Sequence, residues 1–313
     1  MTEPRVTNMA ASVHQRLLTI SHKRKEEFNL LLTRYAHERL LYRLVQARYG
    51  EEFVLKGARL LALWGERLHR PTHDLDLLGF GASTPEAIAS VFEGVCTVSV
   101  EADGLVFDPR SVRVNAIREE QIYGGQRVQL IAQLGPAQIP LQVDIGFGDT
   151  VFPRPRQAAY PALLDFPAPL LYVYPKEAVV AEKLHAMVEL DMLNSRMKDF
   201  YDLWAMSREL TFDGPVLAQA IRSSFDGRKT VIPQTRPVAL TPEFGQSPDK
   251  LKQWSAFLKR TRIGVPTQSL FEIVSQLDVF LTPVLRALGT GDVLDLTWPP
   301  GGPWSERMSD ANA

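Results

Sequence analysis

The residues best suited to chemistry in this chain are three aspartates set in short apolar runs. In His73-Asp74-Leu75-Asp76-Leu77-Leu78 the alternation reads as a strand. Alternate side chains of a strand share a face, so Asp74 and Asp76 project together while Leu75 and Leu77 enter the core. Two like charges held this close repel unless a cation sits between them, which points to a hard divalent ion, most simply Mg²⁺. Gln142-Val143-Asp144-Ile145-Gly146 sets a third acid in a second apolar run. On a strand beside Asp76 it would complete a cluster able to hold two metals, activate an attacking hydroxyl and steady a departing pyrophosphate. Taken alone, an Asp-x-Asp pair more often means solvated charge at a strand end. Upstream, Lys56-Gly57-Ala58 follows the apolar Phe53-Val54-Leu55. Small residues at a strand-to-helix turn let backbone N–H groups approach a phosphate.

A second set lies in the C-terminal half. Ala181, Leu184, Met187 and Val188 form one apolar helix face, with Glu182 and Lys183 off its centre and free to line a cleft. Lys183 would neutralise phosphate oxygens as a point charge. Asp199 and Asp202 are three residues apart, hence neighbours on a helix. By residue type alone, Arg196, Lys198 and these two acids suit a surface ionic network at least as well.

The elements that must position these groups follow from periodicity. From Ser12 to Tyr49 there is no Gly or Pro and apolar residues recur at helical spacing, which predicts one or two helices ended by Gly50. A strand over 53–55, a helix over Ala58–Leu68 and a strand over Leu75–Leu78 follow. Pro85–Phe92 reads as a short helix with Pro85 in its first turn. Strands are expected over Val95–Val100, Leu105–Phe107, Val112–Ile117, Arg127–Gln133 and Ile139–Phe147, with Gly124-Gly125 as a hairpin signal. Six prolines within 151–175 mark an extended connection. Helices then span 176–193, 197–209, 215–224, 248–261 and 267–288, with 230–247 as a loop and 298–313 as a frayed tail. The class is α+β: a sheet domain with its N-terminal helices over 1–165, then a mostly helical domain over 166–313 that completes the cleft.

Composition sets the frame. The 313 residues are 45% hydrophobic and 23% charged, ordinary for a folded protein. No apolar run approaches the roughly 20 residues that cross a bilayer, and the polar N-terminus does not read as a secretory signal, so no membrane partner and a cytoplasmic location are expected. A single cysteine, Cys96, excludes a disulfide framework. The net charge of −1 conceals two basic stretches: 1–48 holds nine Lys/Arg against four Asp/Glu, and 220–262 holds nine against three. Basic regions flanking an acidic middle suit a polyanion held beside a carboxylate centre, or simply two solvated helical faces.

The ordered set Lys56-Gly57-Ala58, a helix, Arg70-Pro-Thr72-His-Asp74-Leu-Asp76-Leu and the later Asp144 resembles the polymerase-beta-like nucleotidyltransferase superfamily, and within it the AbiEii/AbiGii-type toxin nucleotidyltransferases. The usual family form is close to K-G-G-T-A-L, a helix, then R-x-S-x-D-I-D-L. Here Ala58 replaces the second glycine, Arg59 the threonine and Thr72 the serine. The Pro175-to-Met187 segment with Glu182-Lys183 is similar to the family's E-x-x-x-A-E-K-L helix, and Ser195-Arg196-Met-Lys198-Asp199-Phe-Tyr-Asp202-Leu to its R-x-K-D-x-x-D-L element. The resemblance spans 53–205.

The resemblance implies a sheet domain of that superfamily, Mg²⁺ on Asp74, Asp76 and Asp144, and a catalytic role for these three with Lys183 and Asp202. It implies nucleotide contacts at Lys56, Gly57, Ala58, Thr72, Lys183 and Asp199. A nucleoside monophosphate would pass from an NTP to an RNA acceptor, tRNA 3′ ends above all, in a toxin–antitoxin or phage-defence system with a cognate antitoxin. Phosphate placed on Thr72 would set negative charge against the metal site. The alternatives are transfer to a protein or small-molecule hydroxyl, or a non-catalytic nucleotide- or RNA-binding protein on the same fold. His73 is read as a solvated neighbour of the acids, His185 as packed, Cys96 as a small buried hydrophobe, and Trp254 with Phe257 as a core pair. Gly79-x-Gly81 lacks the spacing of a dinucleotide fingerprint.

Overall fold

The computed structural model describes residues 8–65, 72–117, 124–261 and 268–307. These fall into two compact units: 8–63, 72–148 and 156–173 form the first, and 64–65, 149–155 and 174–307 the second. Arg70, Arg262 and the tail beyond 307 lie outside the described residues.

The first unit opens with α1 (Met9–Arg24), whose N-cap Asn8 accepts a hydrogen bond from the Ala11 N–H. Lys25 turns into the left-handed region at φ 54°, which ends α1 and separates it from α2 (Phe28–Gln46). The Gly/Pro-free run is thus two helices. Next come β1 (Phe53–Lys56), a 3₁₀ turn over Gly57–Leu60, the single-turn α3 (Leu61–Trp64) and β2 (Leu75–Gly79). The helix expected over 58–68 is therefore a tight 3₁₀ turn and one α turn, with 66–68 outside the described residues.

Helix α4 (Pro85–Thr97) is longer than its periodicity suggested. Val95 and Cys96 are buried in its last turn, so the strand expected over 95–100 does not exist. The two strands expected after it are one bulged strand, β3 (Leu105–Ile117), with its register shifted between Asp108 and Arg113. It pairs antiparallel with β4 (Gly125–Leu134), which pairs antiparallel with β5 (Ala137–Phe147). The proline-rich segment is more than a connection, since it supplies β6 (Arg156–Ala159) and β7 (Leu170–Val173). The sheet order is β3-β4-β5-β2-β1-β7-β6, with β5 parallel to β2 and β7 parallel to β1. The sheet is mixed. The central strands β1 and β2 are almost continuously apolar, as expected for strands covered on both faces.

Helix α2 buries polar as well as apolar side chains. Arg39 Nε and Arg43 Nη1 lie 2.9 and 2.7 Å from Asp103 Oδ2, and Arg43 Nη2 lies 3.0 Å from Oδ1. The Tyr35 hydroxyl donates to the Asp103 carbonyl, and Arg39 donates to the Pro167 carbonyl. Burial opposes the charge on Asp103, but the two guanidiniums outweigh it and hold its carboxyl below the usual range. Burial pushes neighbouring Glu38 up to about 7, partly offset by the Leu163 N–H that it accepts.

The second unit is helical: α5 (Lys176–Leu190), α6 (Met197–Glu209), β8 (Phe212–Asp213), α7 (Gly214–Gly227), α8 (Pro242–Gln246), α9 (Pro248–Thr261) and α10 (Leu270–Thr290). A Ser269–Glu272 capping box starts α10. The expected loop over 230–247 contains α8 and a 3₁₀ turn at Val238–Leu240. Strands β9 (Leu296–Trp298) and β10 (Ser305–Glu306) join β8 in a small sheet. The described part of the tail is therefore packed. The Trp298 indole N–H donates to the Ser207 carbonyl at 2.6 Å, and Phe280, Trp298 and Trp304 form one aromatic cluster. Among the described residues, no helix is long and apolar enough to cross a membrane.

Substituting Asp103 by Ala leaves two buried guanidiniums without their counter-charge. The expected loss is about 3–5 kcal/mol of stability in urea unfolding. A loss below about 1 kcal/mol would mean that the network does not hold α2 to the sheet.

Candidate active site

Asp76 occupies the middle of a three-strand arrangement. In β2 it lies opposite Lys56 of antiparallel β1 and opposite Asp144 of parallel β5. Asp74 immediately precedes β2, two residues away on the same face. The fold thus brings Asp74, Asp76 and Asp144 onto adjoining strands, with two of the acids in register at the roughly 4.8 Å spacing of paired strands. Like charges directly opposite each other destabilise a sheet unless compensated.

The compensation is visible. Arg127, the register partner of Asp144 on β4, grips it with two hydrogen bonds of 2.8 Å, from Nε to Oδ1 and from Nη2 to Oδ2. The Gln142 amide donates to Asp74 Oδ1 at 3.1 Å and to Asp144 Oδ2 at 3.4 Å, tying the outer two acids through one neutral group. Among the described residues, no set of three or more His, Cys, Asp and Glu gathers closely enough to hold a metal ion. Asp144 is paired with Arg127 through one hydrogen bond on each oxygen, which leaves further lone pairs on both. Asp74 and Asp76 are the hard oxygen donors whose chemistry suits Mg²⁺.

Gly57 sits beside Asp76 by necessity. Its φ is +74°, and a Cβ at that position would overlap the Asp76 carboxylate. Ala58 is buried behind it. Because the helical turn that follows is so short, its dipole adds little for a phosphate. Gly57 instead offers close backbone approach next to the carboxylate.

Arg59, which stands where the family form has a hydroxyl residue, is almost wholly buried. Its Nε donates to the Asp74 carbonyl, and its Nη2 donates to the Thr72 carbonyl and, at 2.6 Å, to His37 Nδ1 from α2. A guanidinium only donates, so Nδ1 of His37 must accept. Burial and then the Arg59 charge hold His37 well below its ordinary pKa, which keeps the ring neutral for that role. Thr72 is half-buried, fixed through its carbonyl, and His73 is exposed. Arg59 therefore fixes the chain that enters β2 and leads into the acid pair.

A separate cluster forms in the second unit. Lys183 of α5 lies 2.5 Å from Asp199 Oδ1 and 2.8 Å from Asp202 Oδ2, and Arg196 Nε lies 2.8 Å from Asp199 Oδ2. Both acids are buried and both contact the same ammonium, so residue type could not choose between them. Burial would raise the Asp199 carboxyl, but Lys183 and Arg196 overcome it and hold the group low. Next to Lys183, Glu182 accepts from the Tyr174 hydroxyl at 3.0 Å and lies 3.4 Å from Arg228, which also pairs with Asp149 at 2.8 Å. His185 is buried edge-on against Phe225 and lies 2.8 Å from the Thr230 hydroxyl. Burial, then the Arg228 charge, lowers it to about 4. Cys96 is buried with its thiol pushed up to about 12 by desolvation, and Trp254 and Phe257 pack together in the core.

Sequence reasoning missed Arg59, His37, Arg127 and Arg228. Arg127 is legible only once the β4–β5 register sets it opposite Asp144. His37 and Arg59 are legible only once α2 is folded against the sheet.

Two outcomes follow. Gly57→Ala should lose about 1–3 kcal/mol in urea unfolding, from the left-handed backbone and the displaced carboxylate. Asp199 has a lowered pKa in the fold, so its contribution to stability is complete above its unfolded pKa of about 3.9 and is lost as the pH falls through the folded value. Thermal unfolding of Asp199→Asn should therefore show weaker pH dependence than the parent below about pH 4, together with lower stability at neutral pH. Parallel curves for the two proteins would contradict this.

A sequence model of the family described as nucleotidyl transferase AbiEii toxin, type IV TA system, matches residues 39–278, well over half of the chain. Among solved structures, a Helicobacter pylori protein described as a candidate nucleotidyltransferase is 16% identical, with a TM-score of 0.48, covering 82% of this chain and 96% of its own. A second, JHP933 from Helicobacter pylori, is 15% identical, with a TM-score of 0.47, covering 82% of this chain and 93% of its own. No curated protein matches the chain. The length of the family match decides the assignment: the chain belongs to the AbiEii nucleotidyltransferase toxins of type IV toxin–antitoxin systems.

Proposed function

We propose that this enzyme transfers a nucleoside monophosphate from an NTP to the terminal hydroxyl of an RNA, most simply a tRNA 3′ end, with Mg²⁺ and with release of pyrophosphate. The observation that carries this reading is the in-register pair Asp76–Asp144 with the Gly57 turn against Asp76, which sets two carboxylates next to backbone that a phosphate can approach. Asp74 and Asp76 are the residues that would hold Mg²⁺. When bound, the ion would draw charge from the phosphate oxygens.

The remaining steps belong to the protein's own groups. Asp144, aimed by Arg127 and Gln142, accepts the proton of the incoming hydroxyl as its oxygen attacks the α-phosphorus. The bond from the α-phosphorus to the bridging oxygen breaks and pyrophosphate leaves with the electron pair. Gly57 and Ala58, with Lys56 and Thr72 on either side, flank the phosphates. In the second unit Lys183, held by Asp199 and Asp202, is the cation to which the family resemblance gives phosphate neutralisation. Exposed cations at the end of α1 (Lys23, Arg24, Lys25) and of α9 (Lys259, Arg260) are the groups in the two basic stretches that would meet an RNA backbone. A cognate antitoxin is the protein partner expected from the family, and phage defence in the cytoplasm is the setting that fits.

Incubation with Mg²⁺, each labelled NTP and total tRNA tests the reading, with Asp76→Ala and Asp144→Asn beside the parent. Label should appear on RNA, and each substitution should reduce it by at least about 10²-fold. Label on protein or on a small hydroxyl compound instead of RNA would overturn the acceptor. Full activity without Mg²⁺ would overturn the metal.

A further inference from the structure

A cleft of about 520 Å³ opens in the first unit beside Asp74, within the roughly 300–1,000 Å³ typical of ligand sites. Its position follows from strand register. Pairing between β2 and β5 begins at Leu75↔Val143, so Gln138–Gln142 run on past the start of β2. The N-terminal half of α2 forms the opposite wall. Because β1 and β5 flank β2 on opposite sides, the cleft lies on the Asp144 side of the acid pair and the Gly57 turn on the other.

The lining has a defined chemistry. Asn29, Thr33, Gln129, Gln138 and Gln142 supply neutral hydrogen-bonding groups, beside Leu32, His73 and Pro140, while Ile139 and Leu141 are buried side chains that alternate with the glutamines along β5. The Gln142 amide is engaged with Asp74 and Asp144. The side-chain amides of Asn29, Gln129 and Gln138 form no hydrogen bond to another described residue. A carboxamide both donates and accepts, as does the edge of a nucleobase. No Lys or Arg is among the described lining residues, and Asp74 stands at one end, so the cleft repels rather than holds a triphosphate. A purely apolar ligand would strip water from three amides without replacing its hydrogen bonds.

We propose that this cleft receives the acceptor's terminal nucleoside, an uncharged base and ribose, and so presents its hydroxyl toward the Asp144 side of the acid pair. The proposal rests on the nucleotidyl-transfer reading of the same acids. Asn29, Leu32 and Thr33 precede residue 39, where the family match begins, so the helical wall lies outside the matched segment of this chain.

The test starts from binding. Adenosine, cytidine, guanosine and uridine are titrated by saturation-transfer NMR against the parent, Asn29→Ala and Gln138→Ala, with Mg²⁺ and NTP present at saturation to fill the donor site. At least one nucleoside should bind saturably despite the NTP, and each substitution should weaken it about 5- to 12-fold, as for one lost hydrogen bond. Each variant's Kd for NTP should stay within about twofold of the parent, while KM for an RNA acceptor rises by the same factor as the nucleoside Kd and kcat holds.

Absence of nucleoside binding to the parent, or binding that both variants leave unchanged, overturns the proposal. So does a rise in the NTP Kd matching that of the nucleoside, which would make the cleft the donor's base site. Nucleoside binding that depends on Asn29 and Gln138, without label on RNA, supports the cleft and removes only the RNA acceptor.

Discussion

The structure depends on holding like charges together. Asp76 and Asp144 face each other across parallel strands with Asp74 beside them, an arrangement that a sheet tolerates only with compensation built around it. One side is answered by charge, in the fork of Arg127 on Asp144. The outer two acids, Asp74 and Asp144, are bridged by a neutral donor, the Gln142 amide. The remaining side is answered by space, since Gly57 leaves room for the Asp76 carboxylate where any side chain would collide. Each device sits on a different strand or turn, so the order β4-β5-β2-β1 is what gathers them.

This dependence accounts for the buried cation at Arg59. A guanidinium inside a protein is costly unless its donors are satisfied. Here they are taken by the Thr72 and Asp74 carbonyls and by a histidine kept neutral by burial and by the same charge. The arrangement joins α2 to the strand that carries the acid pair. Where the family form has a small hydroxyl residue, this chain has a long side chain that packs inward and works through the backbone. The same helix carries Arg39 and Arg43 onto Asp103, so α2 is fixed at two points by buried charge. A helix held that firmly makes a rigid wall, which the cleft beside Asp74 requires.

Much of this was legible from residue pattern. The alternation in Leu75-Asp76-Leu77 told the face of the acids, and the same alternation around Asp144 told that it belonged to a strand. That Asp199 and Asp202 are helix neighbours was visible because the helical period is a local property, whereas their grouping with Lys183 came from the family resemblance. What escaped was set by tertiary context. Val95 and Cys96 are β-like in composition but fill the last turn of α4, where burial outweighs propensity. The bulge between Asp108 and Arg113 merges two short apolar runs into one strand, which no local pattern announces. Leu170–Val173 adds to the sheet from within a proline-rich stretch because β1 offers it an edge. The described tail is anchored by buried Trp298, with half-buried Trp304 against it and Phe280, in spite of the flexible composition around them.

Charge counts along the chain proved the least transferable signal, and the reason is physical. Of the cations in 220–262, Lys250 is buried on the Asn194 carbonyl, Arg228 is paired with Asp149 and Arg236 with Asp278. In 1–48, Arg39 and Arg43 are consumed by Asp103. A sum over sequence counts each of these as exposed surface charge, whereas the arginines are paired with carboxylates and Lys250 is buried. The attraction left for a polyanion therefore resides in the cations that stay exposed, among them Lys23 to Lys25 at the end of α1, Arg222 within α7 and Lys259 and Arg260 at the end of α9. Steering by such charges brings an RNA backbone close without choosing a register on it. Register must then come from short-range groups, and in the first unit the uncommitted amides beside Asp74 are hydrogen-bonding groups of that kind.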